Sequence, residues 1–130
     1  MSVKPFARSG LPIDEILAEL KHQFSLADQV VLQAPPGAGK TTIVPLALMD
    51  EAWLTDKKIL VLEPRRIAAK SAATRMASLL REPVGETVGY RMRLESKVSR
   101  STKIEVITEG ILVRMLQQDP SLEQAGLVIF

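Results

Sequence analysis

Cysteine is absent from this sequence, and histidine occurs only once. The chain therefore has no disulfide framework and no thiolate metal site, and the single imidazole of His22 excludes metal chemistry based on a histidine cluster. We expect His22 to be a solvated helix residue. No apolar stretch approaches the roughly 20 residues that span a bilayer, and the N-terminus lacks the apolar core of a signal peptide. These absences predict a cytoplasmic protein without a membrane partner.

The chain also has little excess of positive over negative charge. The formal net charge is +2 at pH 7, which is too small to establish a polyanionic partner by itself. The 130 residues suffice for about one domain, and a hydrophobic content of 46% with 25% charged residues is ordinary for a globular protein. Because overall composition is uninformative, function has to be inferred from local motifs.

The most informative segment is Ala34–Thr41, which reads Ala-Pro-Pro-Gly-Ala-Gly-Lys-Thr. It follows the apolar run Val30–Leu32 and precedes a helix-favouring segment, which is the context of a Walker A phosphate loop. Ala34 replaces the first glycine of that pattern, and a chance Gly/Pro turn is the weaker alternative. Backbone N–H groups and the helix start can hold phosphate, while Lys40 can reach the β- and γ-phosphates and Thr41 can ligate Mg²⁺. The sequence thus predicts binding of a nucleoside triphosphate with Mg²⁺, at Pro36, Gly37, Ala38, Gly39, Lys40, Thr41 and Thr42.

Strand-like and helix-like segments alternate along the chain, after a lead-in over residues 1–12 that is predicted to be flexible. Alternation of this kind predicts an α/β fold with a mostly parallel sheet and helices on both faces. Within the third helix, the predicted inward positions are Ile67, Ala68, Met76, Leu79 and Leu80. The predicted strands are Gln29–Gln33, Ile59–Leu62, Thr87–Met92, Lys103–Ile107 and Leu127–Phe130, and the helices are a first one from Ile13, then Thr41–Ala52, Arg66–Leu80 and Glu109–Gln117.

Three segments directly follow predicted strands, so right-handed crossovers place them at one edge of the sheet, where ligands bind in open α/β folds. They are the phosphate loop, Pro64-Arg65-Arg66 and Thr108-Glu109-Gly110. Two arginines beside a helix start suit a sugar-phosphate backbone, although solvated or salt-bridged arginines are an equal alternative. Thr108 is a natural N-cap, and backbone amides there could equally hold a phosphate oxygen.

A second basic run, Gly89-Tyr90-Arg91-Met92-Arg93, alternates arginine with apolar residues. Arg91 and Arg93 are therefore expected to project to one face of a strand or turn. Alone, such a run is more often a solvated face than a binding site.

Together these motifs resemble the first RecA-like domain of DEAH-box RNA helicases. The resemblance covers about Leu11–Phe130, and the spellings Glu-Pro-Arg-Arg and Gly-Tyr-Arg-Met-Arg are closest to the bacterial HrpB branch. It implies an ATP-dependent RNA helicase of superfamily 2, a hydrolase that couples ATP hydrolysis to unwinding of nucleic acid. It also implies that residues 13–130 form a partial P-loop NTPase domain of the RecA-like type.

The resemblance assigns roles to individual residues. Arg75 matches the arginine that stacks on the adenine base, with a solvated helix arginine as the alternative. Arg65 and Arg66 match the motif that touches the RNA backbone, Arg93 matches the arginine of a hook-shaped turn that also reaches RNA, and Thr108 matches a motif that contacts another phosphate. The implied partner is single-stranded RNA, and DNA stays an alternative because backbone contacts do not read base identity.

Part of the family machinery is expected outside this sequence. The strand Leu127–Phe130 resembles the one that leads into Asp-Glu-x-His, whose carboxylates hold Mg²⁺ and polarise the attacking water, and the intact protein is expected to contain a second RecA-like domain. Glu63 and Glu109 lie near the predicted edge but have no such motif. No catalytic residue is predicted here, so the chain is expected to be a fragment with negligible hydrolysis of its own and an unpaired sheet edge.

Two other functional classes stay open at this point. A small P-loop kinase would need a lid, for which the polar stretch Ser96–Ser101 is the candidate, and an acceptor motif, which does not follow the second strand. The other class is a non-catalytic module that binds nucleotide as a structural or regulatory ligand.

Overall fold

Helices and strands alternate along the chain in the computed structural model, which describes residues 17–33 and 40–130. The predicted lead-in over residues 1–12 lies outside these ranges. A 3₁₀ turn at Ala52–Leu54 follows the second helix. The helices are α1 (Leu17–Leu26), α2 (Lys40–Leu48), α3 (Arg66–Leu79) and α4 (Glu109–Gln118), and the strands are β1 (Lys58–Leu62), β2 (Val88–Met92), β3 (Glu95–Lys97), β4 (Ile104–Ile107) and β5 (Ala125–Ile129).

The strands form one sheet in the order β3-β2-β4-β1-β5. β1 pairs in parallel with β4 and with β5, and β2 pairs in parallel with β4. Only β3 is antiparallel, to β2. The order departs from the chain order because α3 and α4 carry the chain over the sheet between parallel strands. The predicted α/β fold with a mostly parallel sheet is confirmed, whereas the short strand β3 was not predicted and includes the first two residues of the polar stretch Ser96–Ser101.

Helices cover both faces of the sheet, but unequally. Strand alternation places Ile59 and Val61 on one face and Leu60 on the other. The first face belongs to the main core, which includes side chains from α1, α2 and α3, and the second forms a smaller cluster in which Leu60 and Ile107 pack with residues of α4. The second face has less apolar cover, and polar groups occupy part of it.

Helix α3 buries a stripe of mostly small residues. Met76 and Leu80 are buried, as predicted, and Leu79 is half-buried, but Ala68 is only half-buried and Ile67 is 84% exposed. Ile67 was predicted wrongly because the buried stripe follows the 3–4 spacing of a helix face, and position 67 lies on the opposite side of that stripe. The buried residues within α3 are Ala69, Ala72, Ala73, Met76 and Ala77.

The predicted strand Gln29–Gln33 is not formed. Its residues are assigned to no strand, and Val31 is 96% exposed, although Val30 and Leu32 pack against the main core. An apolar run indicates burial, which Val30 and Leu32 find in the core, whereas a strand also needs a hydrogen-bonded neighbour. Among the described residues, β5 accordingly pairs on one side only, with β1.

Two glycines provide a matched test of the packing between β2 and β3. A Cβ atom at Gly89 would lie 2.2 Å from the Lys97 carbonyl oxygen, whereas a Cβ atom at Gly110 of α4 would meet nothing within 4 Å. We expect Gly89→Ala to lower the free energy of unfolding by about 1–3 kcal/mol, because backbone must move to admit the methyl group. Gly110→Ala should be neutral or stabilise α4 by up to about 1 kcal/mol. Urea unfolding checks both variants, and equal effects would contradict the described approach of the two strands.

Candidate nucleotide and nucleic-acid interface

The carboxyl ends of neighbouring parallel strands meet at one edge of the sheet. Leu62 at the end of β1 is opposite Ile107 at the end of β4, and the N–H of Glu63 donates to the carbonyl of Ile107 at 2.9 Å. Helices α3 and α4 begin just beyond these ends. We call this edge the sheet rim and define it as residues 63–66, 93–94 and 108–110. The predicted meeting of the two helix starts is confirmed.

The turn between β2 and β3 belongs to the same rim. β2 runs parallel to β4, with Arg91 opposite Ile107, so Arg93 and Leu94 follow at the carboxyl end of β2. The Nη1 group of Arg66 donates to the carbonyl oxygen of Arg93 at 2.8 Å. This hydrogen bond joins two of the motifs that were predicted separately to contact RNA.

Arg91 and Arg93, which are predicted to project to one face of a strand or turn, lie in different surroundings in the structure. The strand β2 ends at Met92, so the alternation stops before Arg93, which is exposed in the turn. Arg91 stays within the sheet, where its Nε lies 2.9 Å from the buried carboxylate of Glu105.

Arg65 occupies the N-cap position of α3 with extended backbone. Its side chain is 83% exposed, and its Nε lies 3.7 Å from a Glu63 carboxylate oxygen. Such a long, exposed ion pair is weak, so the guanidinium can bind an anion at the rim. Arg75 is also exposed but is nine residues beyond Arg66 on the same helix, a distance of about 14 Å at 1.5 Å per residue. Arg75 is therefore separate from the rim cluster.

Thr108 occupies the N-cap position of α4. Its carbonyl accepts hydrogen bonds from the N–H groups of Ile111 and Leu112, both at 3.1 Å, but its side chain makes no capping hydrogen bond. The predicted N-cap position of Thr108 is confirmed, but its hydroxyl accepts no hydrogen bond from the first turn of α4. A hydroxyl and a helix start together can donate to a phosphate oxygen.

Most of the predicted phosphate loop, Pro36, Gly37, Ala38 and Gly39, lies outside the described residues. Helix α2 begins at Lys40, as a helix after such a loop should. Thr41 is exposed and Thr42 is half-buried. Thr41 lines a groove of about 580 Å³ whose wall also includes Glu63 and Phe130. The start of α2 thus shares a groove with the carboxyl ends of β1 and β5.

A polar cluster lies behind the turn at residues 93–94. The Tyr90 hydroxyl donates to Oε2 of Glu95 at 2.7 Å, and Lys70 Nζ lies 3.0 Å from the same oxygen. The hydrogen bond from Tyr90, together with Lys70, holds the pKa of Glu95 below its usual range. The same carboxylate raises the pKa of Lys70 and the pKa of Tyr90, principally through hydrogen bonding. The shifts of Glu95 and Lys70 both favour the charged form, in keeping with the 3.0 Å contact between the two groups.

A second polar cluster lies on the sheet face that α4 covers only partly. Glu105 on β4 is 1% exposed, with Lys58 Nζ 2.5 Å from one carboxylate oxygen and Arg91 Nε 2.9 Å from the other. The Nε–H of Arg91 is not aligned for a hydrogen bond, so its contact is ionic. The cluster borders a cavity of about 310 Å³ beside α4.

Neither polar cluster was predicted from the sequence. Lys70 is four residues after Arg66 and therefore on the same helix face, which is a signal that the two act together. Tyr90 and Glu105 gave no signal, because an isolated tyrosine or glutamate in a strand is as compatible with an exposed position as with a buried one.

The stretch Ser96–Ser101 does not form a lid over the rim. Ser96 and Lys97 pair with β2 as part of the edge strand β3, and the remaining loop of residues 98–101 lies before β4, at the opposite edge of the sheet from the rim. Thr102, 3% exposed, anchors it by donating to the carbonyl of Glu86 at 2.7 Å and accepting from the Ser99 N–H at 2.9 Å. The kinase hypothesis therefore loses its candidate lid.

The described residues include neither a membrane-spanning helix nor a cluster of metal-binding side chains. None of the described helices is long and apolar enough to cross a bilayer. Residues 17–33 and 40–130 contain no group of three or more His, Asp or Glu side chains placed to hold a metal ion.

Comparison with known proteins decides the family. The model of the DEAD/DEAH box helicase family matches residues 14–130. The chain belongs to the DEAD/DEAH box helicase family. It is similar to the ATP-dependent RNA helicase HrpB of Escherichia coli (50% identical over 121 residues, 93% of this chain and 15% of that protein). It is also similar to the human ATP-dependent RNA helicase DHX33 (36% identical over 122 residues, 94% of this chain and 17% of that protein).

The helicase fold is confirmed by solved structures. A crystal structure of the E. coli DEAH/RHA helicase HrpB matches with a TM-score of 0.86 and 50% identity, over 92% of this chain and 15% of that one. A second crystal structure, described as the E. coli DExH-box NTPase HrpB, matches with a TM-score of 0.87 and 49% identity over 95% of this chain. The resemblance inferred from the motifs is thus confirmed, and the chain spans about 15% of the length of the HrpB relative.

Proposed function

We propose that this chain is the ATP- and RNA-binding part of a cytoplasmic ATP-dependent RNA helicase, in which ATP hydrolysis drives unwinding. Residues 13–130 would form part of the first RecA-like domain, with a second RecA-like domain elsewhere in the intact protein. The observation that carries the proposal is the meeting of Arg65, the Arg66–Arg93 hydrogen bond and Thr108 at one sheet rim in a chain of the DEAD/DEAH box helicase family.

The nucleotide half of the site would lie around the start of α2. The backbone N–H groups of residues 37–42 and the side chain of Lys40 would hold the phosphates, with Pro36 at the start of this loop. Mg²⁺ keeps several waters and takes few protein ligands in nucleotide sites; the exposed Thr41 hydroxyl beside the 580 Å³ groove suits one such ligand. When bound, Mg²⁺ would neutralise phosphate charge. Arg75, exposed on α3, would stack its planar guanidinium on the adenine base.

The RNA half would lie along the rim. Arg65, exposed at the start of α3, and Arg93, exposed in the turn, would contact backbone phosphates, and Thr108 would donate to another. Contacts of this kind recognise a single strand by its backbone and not by its sequence. We propose no catalytic residue within the chain, because Glu63, which lines the same groove as Thr41, is not part of an Asp-Glu-x-His motif.

The proposed RNA contacts predict that removing one rim arginine makes RNA binding less dependent on salt. Arg65→Ala should weaken binding of single-stranded RNA and lower the slope of log K against log salt by about one, because one phosphate contact is removed. Fluorescence anisotropy at several salt concentrations measures both quantities. The matched control is Arg100→Ala, which removes an exposed arginine at the opposite edge of the sheet. An unchanged slope for Arg65→Ala, or an equal change for Arg100→Ala, would contradict the proposed rim site.

A further inference from the structure

The turn at Arg93-Leu94 is held in a strained conformation. Leu94 has φ +68°, in the left-handed region that favours glycine and disfavours a branched side chain. Its side chain is 96% exposed, so packing of the turn itself offers no compensation. Backbone strain of this kind persists only where the surrounding structure fixes it. The pairing of Met92 with Glu95 closes the turn from both sides, and side chains next to the turn supply further stabilisation.

Four side chains lie next to the turn, two on α3 and one each on β2 and β3. On α3, Arg66 donates to the Arg93 carbonyl at 2.8 Å, and one helical turn later Lys70 Nζ lies 3.0 Å from a Glu95 carboxylate oxygen. From the sheet, the hydroxyl of Tyr90, whose ring is buried in the core, donates to the same oxygen at 2.7 Å. The residue before the strained Leu94 and the residue after it are thus both tied to rigid structure.

We propose that Arg66, Lys70, Tyr90 and Glu95 form a brace that fixes the Arg93-Leu94 turn for RNA binding, with Lys70 and Glu95 as positioning residues. This inference rests on the proposed function, because it assigns the brace to the RNA contact of Arg93. An arginine on a loose turn loses conformational freedom when it binds a phosphate, and a braced turn has lost that freedom already. Arg66 then acts mainly through the turn, and Arg65 is the arginine of that pair that contacts RNA directly.

The most discriminating variant is Glu95→Gln. It removes the ion pair with Lys70 but keeps an oxygen that can accept from Tyr90, and it makes the chain more positive. A simple charge effect would therefore tighten RNA binding. The brace predicts the opposite, a loss of about 3- to 10-fold, in the same direction as Arg93→Ala. Lys70→Arg, which keeps the charge and the pairing, should bind RNA nearly as well as the unmodified chain.

A double-mutant cycle separates positioning from independent contacts. If Glu95 acts through Arg93, Glu95→Gln should add little loss in a chain that already carries Arg93→Ala. Full additivity of the two losses would overturn the brace. If Arg93→Ala alone leaves RNA affinity unchanged, the proposed RNA contact fails; if Arg93→Ala weakens binding and Glu95→Gln does not, the brace fails and the proposed function stands.

A measurement on the free chain tests the brace without RNA. Backbone ¹⁵N order parameters at Arg93 and Leu94 should be near the rigid value of about 0.85, and in Glu95→Gln they should fall toward the flexible range below about 0.6. The order parameters of β4, which is separated from β3 by β2, should stay unchanged and show that the variant is folded. A turn that is equally rigid in both chains, or already flexible in the unmodified one, would overturn the inference.

Discussion

Replacing Lys40 with alanine is expected to abolish ATP binding by this chain. In the proposed site the Lys40 ammonium contacts the β- and γ-phosphates, and hydrogen bonds to charged groups contribute about 1.5–3 kcal/mol each. Loss of two such contacts weakens binding by at least about 100-fold, which is below detection for a fragment that binds weakly. Isothermal titration calorimetry with Mg²⁺ and ATP measures the change directly.

The control for this variant is Lys21→Ala. Lys21 is an exposed lysine on α1, so its removal changes the net charge equally without touching the start of α2. Lys21→Ala should bind ATP as the unmodified chain does, and both variants should have the same circular dichroism spectrum. If Lys40→Ala still binds ATP, the nucleotide lies elsewhere on the chain and the proposed phosphate site is wrong.

Replacing Glu105 with alanine is expected to cause the largest loss of stability among the substitutions considered. The carboxylate is 1% exposed and faces Lys58 and Arg91. Removing one partner of a buried ion pair typically costs 3–5 kcal/mol, because the remaining charge is left without compensation. Here the two cations are 29% and 43% exposed and can regain water, so we expect about 3 kcal/mol.

Urea unfolding of Glu105→Ala and Glu109→Ala tests this expectation. Glu109 is an exposed carboxylate in the first turn of α4, where its interaction with the helix dipole contributes about 0.3–1 kcal/mol. The loss of unfolding free energy in Glu105→Ala should therefore be several times the loss in Glu109→Ala, whatever the absolute stability of the chain. Equal losses of unfolding free energy in the two variants, or a change within about 0.5 kcal/mol for Glu105→Ala, would show that the ionic contacts of Glu105 with Lys58 and Arg91 do not stabilise the fold.

The elements that follow clear periodic patterns were predictable from the sequence. The start of α3 at Arg66 and the end of α4 before Asp119-Pro120 agree with the structure because turn residues mark them locally. The order of strands and crossovers then places the segments that follow β1 and β4 at one rim, since parallel strands end on the same side. The apolar run within Gln29–Gln33 was misleading because it indicates burial and not hydrogen bonding to a neighbouring strand.

The parts that were not predictable depend on contacts between distant residues. Glu105 and its two cations come from three strands that are adjacent only after the sheet has formed. The brace joins Lys70 to Glu95 across 25 positions of sequence, and the outward position of Ile67 depends on where α3 meets the sheet. No local sequence pattern indicates contacts between such distant residues. The motifs at the rim could be predicted because each is a short, continuous segment of sequence.

Chemical-shift mapping of the chain with two ligands in turn tests the proposed site most directly. Addition of Mg²⁺ and ATP should perturb the amides of Lys40, Thr41, Thr42 and Arg75, and a short single-stranded RNA should then perturb Arg65, Arg93 and Thr108. Both sets should saturate with ligand. Saturable shifts confined to residues 98–102 at the opposite edge of the sheet, with none at the start of α2 or along the rim, would contradict the account.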